Sequence, residues 1–139
     1  MLFPKKPKYK KMYRKDSCKK EFRVNRLVCA DFGVKSLCSS RLTAKQLESA
    51  RKTMAKKMKR MGRILLRVFP DIPITRKPAE VRMGKGKGSL DHWCSNVNSG
   101  RILFEFQGVS RALAQEAAKT GSRKLPMKTK FVALEKKWE

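Results

Sequence analysis

Residues 82–89 read Arg-Met-Gly-Lys-Gly-Lys-Gly-Ser, and a segment of that kind cannot build a core. Glycine has no Cβ to bury and reaches positive φ at no steric cost. The lysines between the glycines supply charge where the backbone comes close to a partner. The core must therefore come from the flanks, and this stretch is left as a loop suited to lying against a polyanion.

Two nucleotide-binding patterns fail here. A phosphate-binding loop needs Gly-Lys followed by Ser or Thr at the start of a helix. Lys87 is followed by Gly88, and Asp91-His92-Trp93 leads toward a strand. The dinucleotide fingerprint fails at Ser89, where a third spaced glycine would be required. A plain flexible linker remains the alternative. Arg82 and the regular lysines favour contact with RNA phosphate.

Charge narrows the partner. Thirty-six Lys and Arg stand against eleven Asp and Glu, a formal charge of +25 on 139 residues. A compact chain with that charge repels itself unless a partner neutralises it. Nucleic acid does so with a gain that grows with each phosphate contact, through counterion release. The charge is also spread along the chain: residues 1–30 hold eleven basic and two acidic side chains, and residues 41–69 ten and one. A membrane surface would call for a single amphipathic basic face, which does not dominate here. No run approaches the roughly 18 apolar residues of a membrane span. The N-terminus is basic and Lys-rich with Pro4 and Pro7, and reads as mature protein rather than a leader.

Catalytic and metal chemistry find little support. Cys18, Cys29, Cys38 and Cys94 form no C-x-x-C pair, and His92 is the single histidine, so zinc-type spacing is missing and free thiols are expected. His92 adjoins Asp91, but neighbours in sequence need not face each other. No cofactor, no metal site and no enzymatic role are expected.

Local patterns give the elements. Residues 1–21 alternate Lys with Pro, Tyr and Met without amphipathic period, a basic arm that orders on its partner. A first strand is placed at Phe22–Val28. Arg41–Gly62 is predicted as a helix: Thr43 and Gln46 make a capping box, and Leu42 can staple onto Leu47. Leu47, Ala50, Met54, Met58 and Met61 form its apolar stripe. Lys45, Lys52, Lys56, Lys59 and Arg60 fall opposite, read as lacking an acidic partner for i,i+4 pairing, and are assigned to phosphate. Ile64–Phe69 is predicted as a strand. Asp71–Pro78, with Pro73 and Pro78, is expected to be an extended connection. Asp91–Val97 and Arg101–Phe106 are predicted as a hairpin turning at Asn98-Ser99-Gly100, with Ile102, Phe104 and Phe106 on one face. A second helix capped by Ser110 runs to Gly121, packing through Leu113, Ala114, Ala117 and Ala118. A last strand covers Thr129–Leu134. The expected fold is α+β: a two-layer sandwich of a mainly antiparallel sheet with two helices. A basic RNA-binding arm (1–21) precedes a single domain (22–139) carrying a loop at 76–90.

Longer motifs carry a resemblance. Met1-Leu2-x-Pro4-Lys5, the run Arg41–Arg51, Arg67-Val68-Phe69-Pro70-Asp71-x-Pro73-Ile74-Thr75, Lys77–Gly88, Gly100–Glu105 and Lys124–Val132 together resemble the bacterial-type large-subunit ribosomal protein sixteen family over nearly the whole chain. Residues 17–40 keep little of the family pattern.

The resemblance implies a ribonucleoprotein role in translation, with large-subunit rRNA, tRNA and neighbouring ribosomal proteins as partners, and help in subunit assembly. A free architectural nucleic-acid-binding protein is the alternative. The RNA-binding set is Lys5, Lys6, Lys8, Lys10, Lys11, Arg14, Arg41, Lys45, Arg51, Lys52, Lys56, Lys59, Arg60, Arg76 and Lys77. The resemblance directs the loop Arg82, Met83, Gly84, Lys85, Gly86, Lys87 and Gly88 toward tRNA and the peptidyl-transferase region. The stretch from Ile102 to Ser110 looks most like mitochondrial members, so the mitochondrial matrix is expected, ahead of a bacterial cytoplasm or a plastid.

Overall fold

The computed structural model describes residues 2–13 and 19–134. Arg14 and Cys18 lie outside them. The described elements run β1 (Phe32–Ser36), β2 (Ser40–Thr43), α1 (Ala44–Lys57), β3 (Arg63–Leu66), β4 (Ile72–Arg76), β5 (Ser89–Val97), β6 (Ile102–Gln107), α2 (Arg111–Ser122) and β7 (Thr129–Ala133). The strands form two antiparallel sheets, ordered β3-β6-β1-β7 and β2-β5-β4. The α+β sandwich is as expected, with its sheet divided in two. The helices pack on each other, α2 also against β1 and β7, and α1 against β2 and β5.

The capping box sets where α1 begins. Thr43 accepts the Gln46 N–H at 3.2 Å, and the Gln46 side chain accepts the Thr43 N–H at 3.0 Å. Arg41 and Leu42 therefore belong to β2, not to the helix. Leu42 and Leu47 are both fully buried in one apolar cluster. The helix also stops earlier than expected. Lys59 and Arg60 take φ of 51° and 62°, a left-handed excursion that ends the helical path, and Met61 is turned out to solvent. Lys59 and Arg60 thus leave the helix face assigned to them and stand on the turn behind it.

The stripe Leu47, Ala50, Met54 and Met58 is buried as predicted. It meets Ala114, Ala117 and Ala118 of α2, whose small side chains let the helices approach closely. Gly121 sits at the tightest point: a Cβ there would lie 2.2 Å from Met54 Cε and 2.4 Å from its Cγ. Ser110 precedes α2 as expected but makes no side-chain cap bond; its carbonyl accepts from Ala114 N–H at 2.9 Å.

Four strand expectations change. Phe22–Val28 is not a strand. Residues 21–30 form an irregular strap tied to the chain by Glu21 N–H to Ser99 C=O (2.8 Å), Ile102 N–H to Val24 C=O (2.9 Å) and Cys29 N–H to Glu105 Oε2 (2.8 Å). The first strand is β1 instead, completed by β6 and β7 on its two sides. Asp71–Pro78 is more than a connection, because Ile72–Arg76 pairs with β5. Proline tolerates this at an edge strand, where one side needs no donor, and β4 is at the edge of its sheet. The predicted strand at Ile64–Phe69 stops at Leu66, with Arg67 N–H still donating to Leu103 C=O at 3.0 Å.

The hairpin is the largest correction. β5 and β6 are consecutive, but they lie in different sheets. The turn at Asn98-Ser99-Gly100, with Gly100 at φ 91°, carries the chain from one sheet to the other. This leaves β6 central and buried on both faces: Ile102, Leu103, Phe104, Glu105 and Phe106 are all 0% exposed. Fully burying each of the two phenylalanines stabilises the fold by about 1.5–3 kcal/mol. Glu105 is tolerated there because Arg67 Nη1 lies 2.9 Å from its Oε1, while the Cys29 amide holds Oε2.

Candidate nucleic-acid interface

Three basic features project from this frame: the arm, one face of α1, and the loop joining β4 to β5. In the arm, Lys5, Lys6, Lys8, Lys10 and Lys11 are exposed, as are Tyr9 and Tyr13. Leu2 packs against the core and anchors the start of the described arm. Lys8 stands over the Tyr9 ring at 5.6 Å, a cation–π geometry.

On α1, Lys45, Lys52 and Lys56 are exposed and share a face at spacings of seven and four. The expectation that this helix offers no acidic partner is wrong. Glu48 takes two hydrogen bonds from Arg51, at 3.0 and 2.7 Å, and lies 4.0 Å from Lys52 Nζ. The Arg51 bond holds the Glu48 carboxyl below its usual range and raises Arg51 further. Arg51 is therefore committed within the helix. The spacing of Glu48 to Arg51 and Lys52 shows this in the sequence itself. Lys57 bonds Glu116 of α2 at 2.6 Å.

The loop is bound back onto the protein. Lys77 Nζ donates to Gly84 C=O. Lys11 Nζ donates to Lys87 C=O at 3.0 Å, Lys87 Nζ donates to Met12 C=O, and Lys87 stands over the Tyr13 ring at 5.7 Å. Arm and loop, some 75 residues apart, thus exchange lysine-to-carbonyl bonds in both directions. Arg82, Met83, Gly84, Lys85 and Gly86 face solvent, as does Arg76 at the end of β4. Arg41 is half-buried, and its Nε donates to Asn96 Oδ1 at 3.2 Å.

The glycines of the loop do different things. Gly84 and Gly86 have φ of 96° and 89° with open space where a Cβ would be, so conformation requires glycine there. Gly88 is required by contact: a Cβ would lie 2.6 Å from the Arg76 carbonyl oxygen and 2.9 Å from the Lys77 nitrogen. Gly88→Ala is expected to destabilise the protein by about 1–3 kcal/mol through overpacking against backbone. A thermal melt unchanged from wild type would show that the loop does not close on β4.

The three-stranded sheet forms the floor beneath the arm. Its register sets Arg41 opposite Asn96, Thr43 and Ile72 opposite Cys94, and Ile74 opposite His92. Alternation puts these side chains on one face, away from the buried Leu42 and Val97. A cavity of about 480 Å³ lies between this face and Met12, Tyr13 and Lys87. His92 Nδ1 lies 2.8 Å from Asp91 Oδ2, so these neighbours do face each other, and the bond holds the Asp91 carboxyl below its ordinary range. It does not make an activated nucleophile. Burial pushes the Cys94 thiol up, against the pull of Arg41, and a neutral thiol is a poor nucleophile. Among the described residues, no group of three or more His, Cys, Asp or Glu side chains could hold a metal ion.

An apolar α+β core bearing a cationic arm, helix face and loop defines a class: small proteins built to lie against a polyanion. Comparison with known proteins gives the family. The chain belongs to the family described as Ribosomal protein L16p/L10e, which matches residues 4–132. It is 50% identical over 132 residues to a Large ribosomal subunit protein uL16 from Borrelia garinii subsp. bavariensis, covering 95% of this chain and 96% of that one. A protein of the same name from Cereibacter sphaeroides is 46% identical over 138 residues, covering 97% and 98%.

Proposed function

We propose that this chain is a structural constituent of the large ribosomal subunit, binding large-subunit rRNA and neighbouring ribosomal proteins and supporting assembly. The family match over residues 4–132 carries the reading. Its role is structural rather than catalytic. Residues 1–21 serve as the RNA-binding arm of a single α+β domain, with Lys5, Lys6, Lys8, Lys10, Lys45, Lys52 and Lys56 exposed for phosphate. Arg82 and Lys85, also exposed, extend toward tRNA near the peptidyl-transferase centre. The ribosome in question is that of the mitochondrial matrix, a reading supported by the likeness of Ile102–Ser110 to mitochondrial members; the relatives named above are bacterial.

Sucrose-gradient sedimentation of the native protein tests the assignment. Co-migration with large subunits, persisting through a moderate-salt wash, is the expected result. A soluble pool that binds duplexes of any sequence would favour the free architectural protein instead. Fractionation of organelles, with the protein followed by antibody, tests the compartment.

A further inference from the structure

We propose that the cavity between the arm and the three-stranded sheet is a receptor for one unpaired RNA base, with Tyr13 at its rim as the stacking surface. The proposal rests on the reading of this protein as an rRNA binder and names a site within it.

The chemistry of the cavity selects its occupant. At about 480 Å³ it falls within the roughly 300–1,000 Å³ of small-molecule pockets. Its lining sets Ile72, Ile74 and Cys94, which is 1% exposed, beside Thr43, Thr75 and His92. The apolar side of that lining gives a phosphate no solvation. It suits a flat group of low polarity.

The rim is cationic. Lys87 stands at the mouth, and the Arg41 guanidinium, bonded to Asn96, lies along one edge. A flat, weakly polar ring joined to an anionic chain describes a nucleotide whose base is turned out of its helix. Proteins read such bases by stacking and by hydrogen bonds to their edges. Tyr13, 93% exposed, supplies the stacking surface. Lys87 holds Met12 and lies over Tyr13, so the loop keeps the stacking ring beside the cavity. Lys87 is therefore a positioning residue for the pocket.

The test uses the full-length protein and two six-nucleotide RNA backbones. One is abasic throughout; the other is abasic except for a single central adenine. The two strands carry the same phosphates, so any difference reports the base. The adenine-bearing strand is expected to bind about tenfold more tightly, the size of one base–aromatic stack, with the same salt dependence. Ile74→Trp, which fills the cavity, should abolish the preference and leave the salt slope unchanged. Should that variant fold poorly, Tyr13→Ala replaces it: at so exposed a position it leaves the fold intact and should remove most of the preference, whereas Tyr9→Ala should not. Equal binding of both strands by wild type, or a preference that survives both Ile74→Trp and Tyr13→Ala, overturns the base receptor. A flat salt dependence, by contrast, overturns the phosphate-binding reading on which it rests.

Discussion

Met54→Asp is expected to prevent folding. Met54 is 0% exposed on α1, and its side chain fills the space above Gly121 of α2. Leu47, Ala50, Met58 and the alanines of α2 belong to the same apolar cluster, a poor setting for a carboxylate. Burying that charge unpaired costs roughly 3 kcal/mol or more. Folded domains hold only about 5–15 kcal/mol in reserve, and this one also carries the self-repulsion of its charge of +25. Loss of the cooperative melt by circular dichroism is the expected observation, with low soluble yield. Met54→Leu keeps the volume and should cost under about 1.5 kcal/mol. A normal melt for the aspartate variant would show that the buried face of α1 is wrongly assigned.

The second large effect is on affinity. Binding of the isolated protein to rRNA fragments is expected to fall by ~10³ or more between about 50 and 200 mM salt, if about six phosphates are neutralised. Replacing Lys45, Lys52 and Lys56 together with Gln should flatten the log–log slope by up to about 0.9 for each phosphate no longer neutralised. Helicity should hold, because Gln is a comparable helix former and the capping box is untouched. Lys52 gives up a 4.0 Å pairing with Glu48, worth at most a few tenths of a kcal/mol at an exposed site. An unchanged slope would mean that this face of α1 points away from RNA.

Much of this molecule is legible from short-range spacing. Thr43 and Gln46 determine the start of α1 because both partners of the capping box lie within one turn. The 3.6-residue stripe from Leu47 to Met58 reports burial for the same reason. The basic arm and the Gly/Lys loop are visible without any geometry. The end of α1 was less legible: Met61 continues the stripe, but the backbone leaves the helix at Lys59 and Arg60, residues with no special preference for positive φ.

Partner choice was not legible. Asn98-Ser99-Gly100 marks a turn, but a turn signal cannot say whether the next strand pairs with the last one or joins another sheet. Here β6 pairs with β1 and β3, strands some 40 to 70 residues distant. That choice buries Glu105 and so requires Arg67 and the Cys29 amide. Likewise, the pattern Gly84, Gly86, Gly88 hides the difference between a residue needing positive φ and one pressed against the Arg76 carbonyl. Charge, the two helices and the family were readable from the chain alone, because composition, helical spacing and motif runs are all carried by neighbouring residues. Where β1, β2 and β4 lie, which sheet each strand joins, which lysines are committed internally and how the arm sits were settled by folding. Each of those depends on segments far apart in the chain meeting in space, and no local spacing records them.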